Sequence, residues 1–140
     1  MGRIDRFEDI EAWQRARDLT RLIYHLTRRE PLCKDWDLQR QLRRASVSIM
    51  ANIAEGFGRK SSKEFANYLN MAHASAAEVQ SHIYVALDQN YLNRSDFEEC
   101  YAMCEECSRM TQSFQNYLSS LKDSDSRQRR NSQIPQLLNS

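Results

Sequence analysis

Residues 61–86 read SSKEFANYLNMAHASAAEVQSHIYVA, and their spacing decides the fold class. Phe65, Leu69, Ala72, Ala76, Val79, Ile83 and Ala86 recur at alternating steps of four and three. On a helix of about 3.6 residues per turn such steps keep returning to one face, so the stretch predicts a helix with a heptad seam. Ser61 and Glu64 stand just ahead in S-x-x-E capping-box spacing, which predicts its start. The middle of the stretch is small (Ala72, Ala74, Ser75, Ala76, Ala77), which lets a neighbouring helix approach closely. The helix is expected to end near Asn90.

Upstream, Gly56 and Gly58 can take the left-handed conformation that ends a helix. The helix they close is expected to begin after Asp35, its N-cap, and to run to about Glu55. Leu38, Leu42, Ala45, Ile49 and Ile53 form its main stripe, while Val47, Met50 and Ala54 form a second line on a different side. Two apolar sides imply either a central place in a bundle or contact with another subunit. The second alternative makes Val47, Met50 and Ala54 the expected oligomer interface. A first helix is expected over about residues 9–29, with Ile10, Trp13, Ala16, Leu19, Ile23 and Leu26 on one face and Pro31 stopping it. A last helix is expected to open with a second capping box, Ser95 and Glu98, and to turn Phe97, Tyr101, Cys104, Thr111, Phe114, Leu118 and Leu121 inward.

Four long helices with short connections predict an all-α, antiparallel up-down-up-down four-helix bundle over residues 1–122. Residues 123–140 are rich in Ser, Asp, Arg, Asn and Gln and are expected to form a flexible polar tail. A chain of 140 residues suits a single core, and three Gly with two Pro are too few for the turns of a sheet protein. No stretch approaches the roughly 20 apolar residues that span a bilayer, and residues 1–9 lack the apolar run of a secretory signal. The expectation is a cytoplasmic protein whose four cysteines are free thiols. The net charge of +1 hides a polarity. Residues 1–63 carry 14 Lys/Arg against 9 Asp/Glu, and residues 64–122 carry 3 against 8. A chain divided in this way can present a basic face while staying nearly neutral overall.

Motifs for chemistry are sparse. Cys100-x-x-x-Cys104-x-x-Cys107 has the spacing that holds an iron–sulfur cluster in radical enzymes, but such clusters need three thiolates on a loop. On a helix this is i, i+4, i+7, where cysteines serve as small apolar fillers; the rival is a zinc site completed by Cys33 or a histidine. His25, His73 and His82 show no metal spacing, and no nucleophile setting surrounds any Ser, Cys or Asp. The segment from Gly56 to Ser62 departs from phosphate-loop spacing and has no preceding strand. No catalytic residue, metal or cofactor is expected, and the protein is read as a non-enzyme.

The basic residues carry the functional signal. Arg40, Arg43 and Arg44 are neighbours on the second helix, with Arg59, Lys60 and Lys63 at the turn beyond. Cations three and four apart can meet successive phosphates, so these six are the candidate nucleic-acid-binding residues. The bland alternative is a solvated face, or Arg pairs with Glu98, Glu99, Glu105 or Glu106. Asn52 and Glu55 interrupt an apolar segment and are expected to form a structural polar network, bonding Arg44 or Arg59 or capping the break at Gly56.

The run from Gln41 to Ser61, QLRRASVSIMANIAEGFGRKS, resembles the signature of the four-helix-bundle family named for intervening sequences of bacterial 23S rRNA genes. Phe7-Glu8-Asp9-Ile10-Glu11-Ala12-Trp13 is similar to that family's F-x-D-L-x-V-W opening, and the likeness extends from residue 7 to about 121. Met50 replaces a proline common there, and the polar tail is a second departure. The resemblance implies a homopentameric ring without known enzymatic activity. It also implies kinship to the accessory protein of diversity-generating retroelements, which binds a reverse transcriptase and nucleic acid. Two functions follow as expectations. One is an oligomeric scaffold that binds RNA or DNA electrostatically, accessory to ribosomal RNA or a reverse transcriptase. The other is a protein-interaction module whose positive half docks on the negative half of a neighbour, forming a ring with no nucleic-acid role.

Overall fold

A computed structural model describes residues 4–121. It contains four α-helices and, among the described residues, no strand. They are α1 (Glu11–Arg28), α2 (Trp36–Phe57), α3 (Ser62–Asp88) and α4 (Arg94–Ser119). Each helix packs against its sequence neighbours, and α1 also meets α4, which closes a four-helix bundle around one core. The expected tail and its boundary at residues 122 and 123 lie outside the described residues.

All seven seam residues of α3, from Phe65 to Ala86, are fully buried. The small middle does bring α2 close, since Ser48 Oγ and Ser75 Oγ share a hydrogen bond at 3.0 Å. The α2 stripe from Leu38 to Ile53 is buried as its spacing predicts. Caps set the helix starts: Asp35 accepts from the Leu38 N–H at 3.2 Å, and Ser61 from the Glu64 N–H at 3.1 Å. The Tyr91 hydroxyl donates to the other Asp35 carboxylate oxygen at 3.0 Å, tying the α3–α4 connection to the start of α2.

Several expectations require correction. The first helix begins at Glu11, because Phe7–Asp9 form a separate 3-10 turn and Ile10 is extended. The start of α4 is capped by Asn93, which accepts from the Asp96 N–H at 2.7 Å, and Ser95 lies inside the helix. Neither glycine ends α2 by turning left-handed. Gly56 lies within the helix, and Gly58 caps it with right-handed angles (φ −74°, ψ −10°). Gly56 serves packing instead. A Cβ there would stand 2.7 Å from Phe65 Cδ1 and 2.7 Å from Tyr68 Cβ, so the missing side chain is what lets α3 approach. The left-handed position is Asn90 (φ 62°), where the Tyr91 N–H reaches the Ala86 carbonyl at 2.8 Å and closes the end of α3.

Cys100, Cys104 and Cys107 are fully buried on α4, in the role of small apolar fillers. Two of the inward positions expected for that helix, Tyr101 and Leu121, are only half-buried. Burial followed by the nearby Glu106 carboxylate pushes the Cys107 thiol up to about 12. A hydrogen bond with Cys100, reinforced by burial, raises Cys104 as well.

Candidate nucleic-acid interface

The six predicted cations do not form one patch. Between Arg44 and Arg59 the chain advances 15 residues, or roughly 22 Å along a helix, so they divide between the two ends of α2. At the first end, Arg40 and Arg44 are exposed one turn apart and line a shallow depression with Asp37 and Gln41. Among the described residues neither has an ion-pair partner. Arg43 is turned the other way. Its Nε donates to Thr27 Oγ1 at 2.8 Å, and its guanidinium lies 4.4 Å from the centre of the Tyr24 ring. Thr27 is itself buried and donates to the Ile23 carbonyl at 2.7 Å, so Arg43 completes a contact between α1 and α2.

At the far end, Lys60 and Lys63 are exposed on the α2–α3 turn and the first turn of α3. Arg59 beside them is held over the Tyr68 ring, 4.9 Å from its centre, and donates to the Tyr68 hydroxyl. Three acidic residues of α4 are engaged elsewhere than on these cations. Glu106 pairs with Arg15 at 2.9 Å, Glu105 accepts from Gln80 at 2.9 Å, and Asp96 pairs with Arg29 at 2.7 Å.

Of the expected polar network, Asn52 donates to the Ser48 carbonyl at 2.9 Å and to Ser48 Oγ at 3.1 Å. Its bonds therefore run within α2 and onward to Ser75 on α3. Glu55 is exposed on the outer side of the helix. The second apolar line is not absorbed by a central position, because α2 has α1 and α3 as its helical neighbours. Val47 is 42 % exposed, while Met50 and Ala54 are half-buried.

Met50 opens onto a feature the sequence reading missed. A cavity of about 350 Å³ runs between α1 and α2, with Thr20, Tyr24 and Met50 at its base and Arg17, Arg21 and Arg28 around it. The arginines fall at i, i+4 and i+11 on α1, a spacing that carries the signal once the buried face of that helix is assigned. Arg17 leans over the Trp13 ring, 5.8 Å from its centre, and Arg21 stands 3.6 Å from Asp18. On the opposite part of the bundle Tyr84, Phe97 and Tyr101 cluster in edge and tilted contacts, with Tyr84 49 % exposed. Beside them Glu98, Ala102, Glu105 and Arg109 line a second cavity, of about 530 Å³.

Among the described residues no group of three or more His, Cys, Asp or Glu side chains is placed to hold a metal, and no helix is long and apolar enough to cross a membrane. Comparison with known proteins agrees with the four-helix architecture. The chain is similar to a structure of a protein of unknown function from the S23 ribosomal protein family of Bacteroides thetaiotaomicron. That likeness has a TM-score of 0.63 at 24% identity and covers 74% of this chain and 93% of that one. No curated protein matches. Residues 8–113, which include the Arg-bearing α2 and the whole α3 seam, match the family described as 23S rRNA-intervening sequence protein. The chain belongs to the 23S rRNA-intervening sequence protein family.

Proposed function

We propose that this chain is a non-enzymatic, self-assembling cytoplasmic scaffold, an up-down-up-down bundle that holds RNA or another nucleic acid by its exposed cations. The observation that carries this reading is the pair Arg40 and Arg44, exposed one turn apart with no ion-pair partner among the described residues. Guanidinium groups left unpaired at a surface are suited to phosphate, which they can grip with two hydrogen bonds. Lys60 and Lys63 extend the cationic surface at the other end of α2, so one strand could touch both ends. Arg43 and Arg59 already hold aromatic rings and serve mainly to position the helices. Few aromatic residues interleave the free cations, so contact with the backbone dominates over base stacking. Family membership supports a role near ribosomal RNA, and the kinship noted from the sequence supports a reverse transcriptase as the alternative client.

The test is retention of a single-stranded RNA by the wild type and by the variant carrying Arg40→Ala, Arg44→Ala, Lys60→Ala and Lys63→Ala. Wild-type affinity should fall steeply with salt. Each lost contact to a single strand should reduce the slope of log K against log salt by roughly 0.7. A folded variant that retains RNA with the wild-type slope would remove the basis for this reading. A second reading, a ring-forming module without a nucleic-acid role, is favoured by the separation of an arginine-lined groove from an aromatic cavity lined by Glu98, Glu105 and Arg109.

A further inference from the structure

We infer that Trp36 is a stacking platform for one unpaired base, which makes the Arg40–Arg44 end of α2 a site for single-stranded rather than paired RNA. This rests on the nucleic-acid reading above and names the class of nucleic acid that the same site takes.

Three observations carry it. The first is exposure. Trp36 opens α2 and is 64 % exposed, the most open of the large apolar side chains among the described residues. Tryptophan is ordinarily well covered, so an open ring calls for a partner. The second is that the ring is free. Trp13 meets Phe7 at 5.2 Å and lies under Arg17, and exposed Tyr84 leans on Phe97 at 4.8 Å. Trp36 and Arg40 share the i, i+4 spacing of Trp13 and Arg17, yet among the described residues no ring or guanidinium covers Trp36. The third is placement. Trp36, Arg40 and Arg44 follow one another at steps of four residues. Each step advances about 6 Å along α2 and turns only about 40° round it. A strand whose phosphates meet the two guanidinium groups therefore passes the ring.

The setting favours a base over a protein side chain. An aromatic anchor of a protein contact sits in an apolar centre with a polar rim. Along α2 the neighbours of Trp36 are instead the exposed charges of Asp37, Arg40 and Arg44, with exposed Lys34 just before it. The next large apolar side chain exposed on this helix is Val47, eleven residues on, or about 16 Å away. A paired base is already stacked within its duplex, whereas an unpaired one offers a π-face whatever its identity. The arginines supply most of the affinity through the backbone, and the ring supplies the preference for unpaired strands. Asp37 shares the depression of Arg40 and Arg44 and, as its one anion, weakens the field that phosphate meets there.

The experiment measures binding of the full chain, by fluorescence anisotropy, to labelled probes of equal length: an unstructured single-stranded RNA, a blunt RNA duplex and an abasic single strand. Circular dichroism shows that each variant is folded. Trp36→Ala should weaken binding to single-stranded RNA about tenfold and leave the duplex and the abasic strand unchanged. Its slope of log K against log salt should stay that of the wild type, since no phosphate contact is lost. Trp36→Phe should keep most of the affinity. It leaves Trp13 as the only tryptophan, so the quenching of fluorescence that single-stranded RNA causes in the wild type should disappear. A folded Trp36→Ala variant that binds single-stranded RNA like the wild type overturns this inference alone, and so does one weakened equally on all the probes. If Trp36→Ala instead lowers the sedimenting mass at unchanged RNA affinity, the ring belongs to a protein contact and the inference fails. Should the variant lacking Arg40, Arg44, Lys60 and Lys63 keep the wild-type salt slope, the previous reading falls, while a tenfold loss with Trp36→Ala leaves the assignment of the ring standing. A wild type that binds none of the probes overturns both.

Discussion

The two flanks of α2 are built differently. Towards α3 the helix offers Gly56, Ser48 and Asn52, small or short groups that let the backbones close and Ser48 bond Ser75 at 3.0 Å. Towards α1 it offers Arg43 and Met50, long side chains that hold the helices together while leaving an open groove between them. Small residues produce a contact finished within the chain, because close packing leaves nothing for a partner to fill. Long residues leave a contact with unused surface. The difference teaches where to look for function in a bundle without a catalytic site: on the flank that packs less completely.

The largest expected effect on stability at neutral pH tests the closed flank. An exposed helical Gly→Ala change normally gains up to about 1 kcal/mol. At Gly56 the new Cβ would meet Phe65 and Tyr68 at 2.7 Å, and the Tyr68 contact is to a Cβ, which cannot swing away. Gly56→Ala should therefore lose about 2 kcal/mol of stability in urea unfolding. Gly58 is the control, since its angles are right-handed and a Cβ there would find its nearest neighbour, the Glu55 carbonyl, at 3.4 Å. Gly58→Ala should gain about 0.5 kcal/mol. Shifts of the same sign at both positions would show that the flank is looser than its distances imply.

That pair also marks the limit of what the sequence made legible. The α3 seam could be read because its period depends on the helix alone, and every residue from Phe65 to Ala86 in it is buried. Asp35 and Ser61 were legible because a cap acts on N–H groups three residues away. Asn93 was missed in favour of Ser95 because both are good caps. Burial of Leu92 and Phe97 on either side fixes the phase, and that belongs to the tertiary fold. Gly56 and Gly58 look alike in sequence and differ only because α3 lies against one of them. The same holds for the candidate site. Six cations could be recognised as a group, but which of them Tyr24, Thr27 and Tyr68 would occupy depended on neighbours distant in the chain or across a turn.

The next effect sharpens the comparison from inside the core. The Cys107 thiol, pushed up to about 12, and the raised Cys104 keep their protons where an unfolded chain, with thiols near 8.5, has released them. The folded state then binds more protons than the unfolded one, so stability falls as pH rises. The contribution is complete below about pH 8.5 and is lost progressively as pH approaches 12. Each thiol adds a slope of at most roughly 1.4 kcal/mol per pH unit. Urea midpoints should be flat from pH 7 to 8 for these groups and decline from pH 9. Cys107→Ala should make the decline shallower. A midpoint as high at pH 10.5 as at pH 8 would mean that the α4 stripe is wetter than its full burial indicates.

The smallest effect sets two adjacent arginines of α2 against each other. Arg43 points into the α1–α2 contact, where it donates to Thr27 and covers Tyr24. Removing it should cost about 1 kcal/mol, the typical net worth of one such hydrogen bond, with the lost ring contact adding to that. Arg44, the next residue and about 100° further round the helix, is exposed and has no ion-pair partner among the described residues. Arg44→Ala should change stability by less than about 0.5 kcal/mol and weaken RNA retention. Arg43→Ala should do the reverse, lowering the urea midpoint while leaving the salt slope of RNA binding close to that of the wild type. Equal stability losses in the two variants would place both side chains in structural contacts. Equal losses of RNA retention would instead place Arg43 on the nucleic-acid surface despite its bond to Thr27, and the functional division between the two flanks of α2 would have to be redrawn.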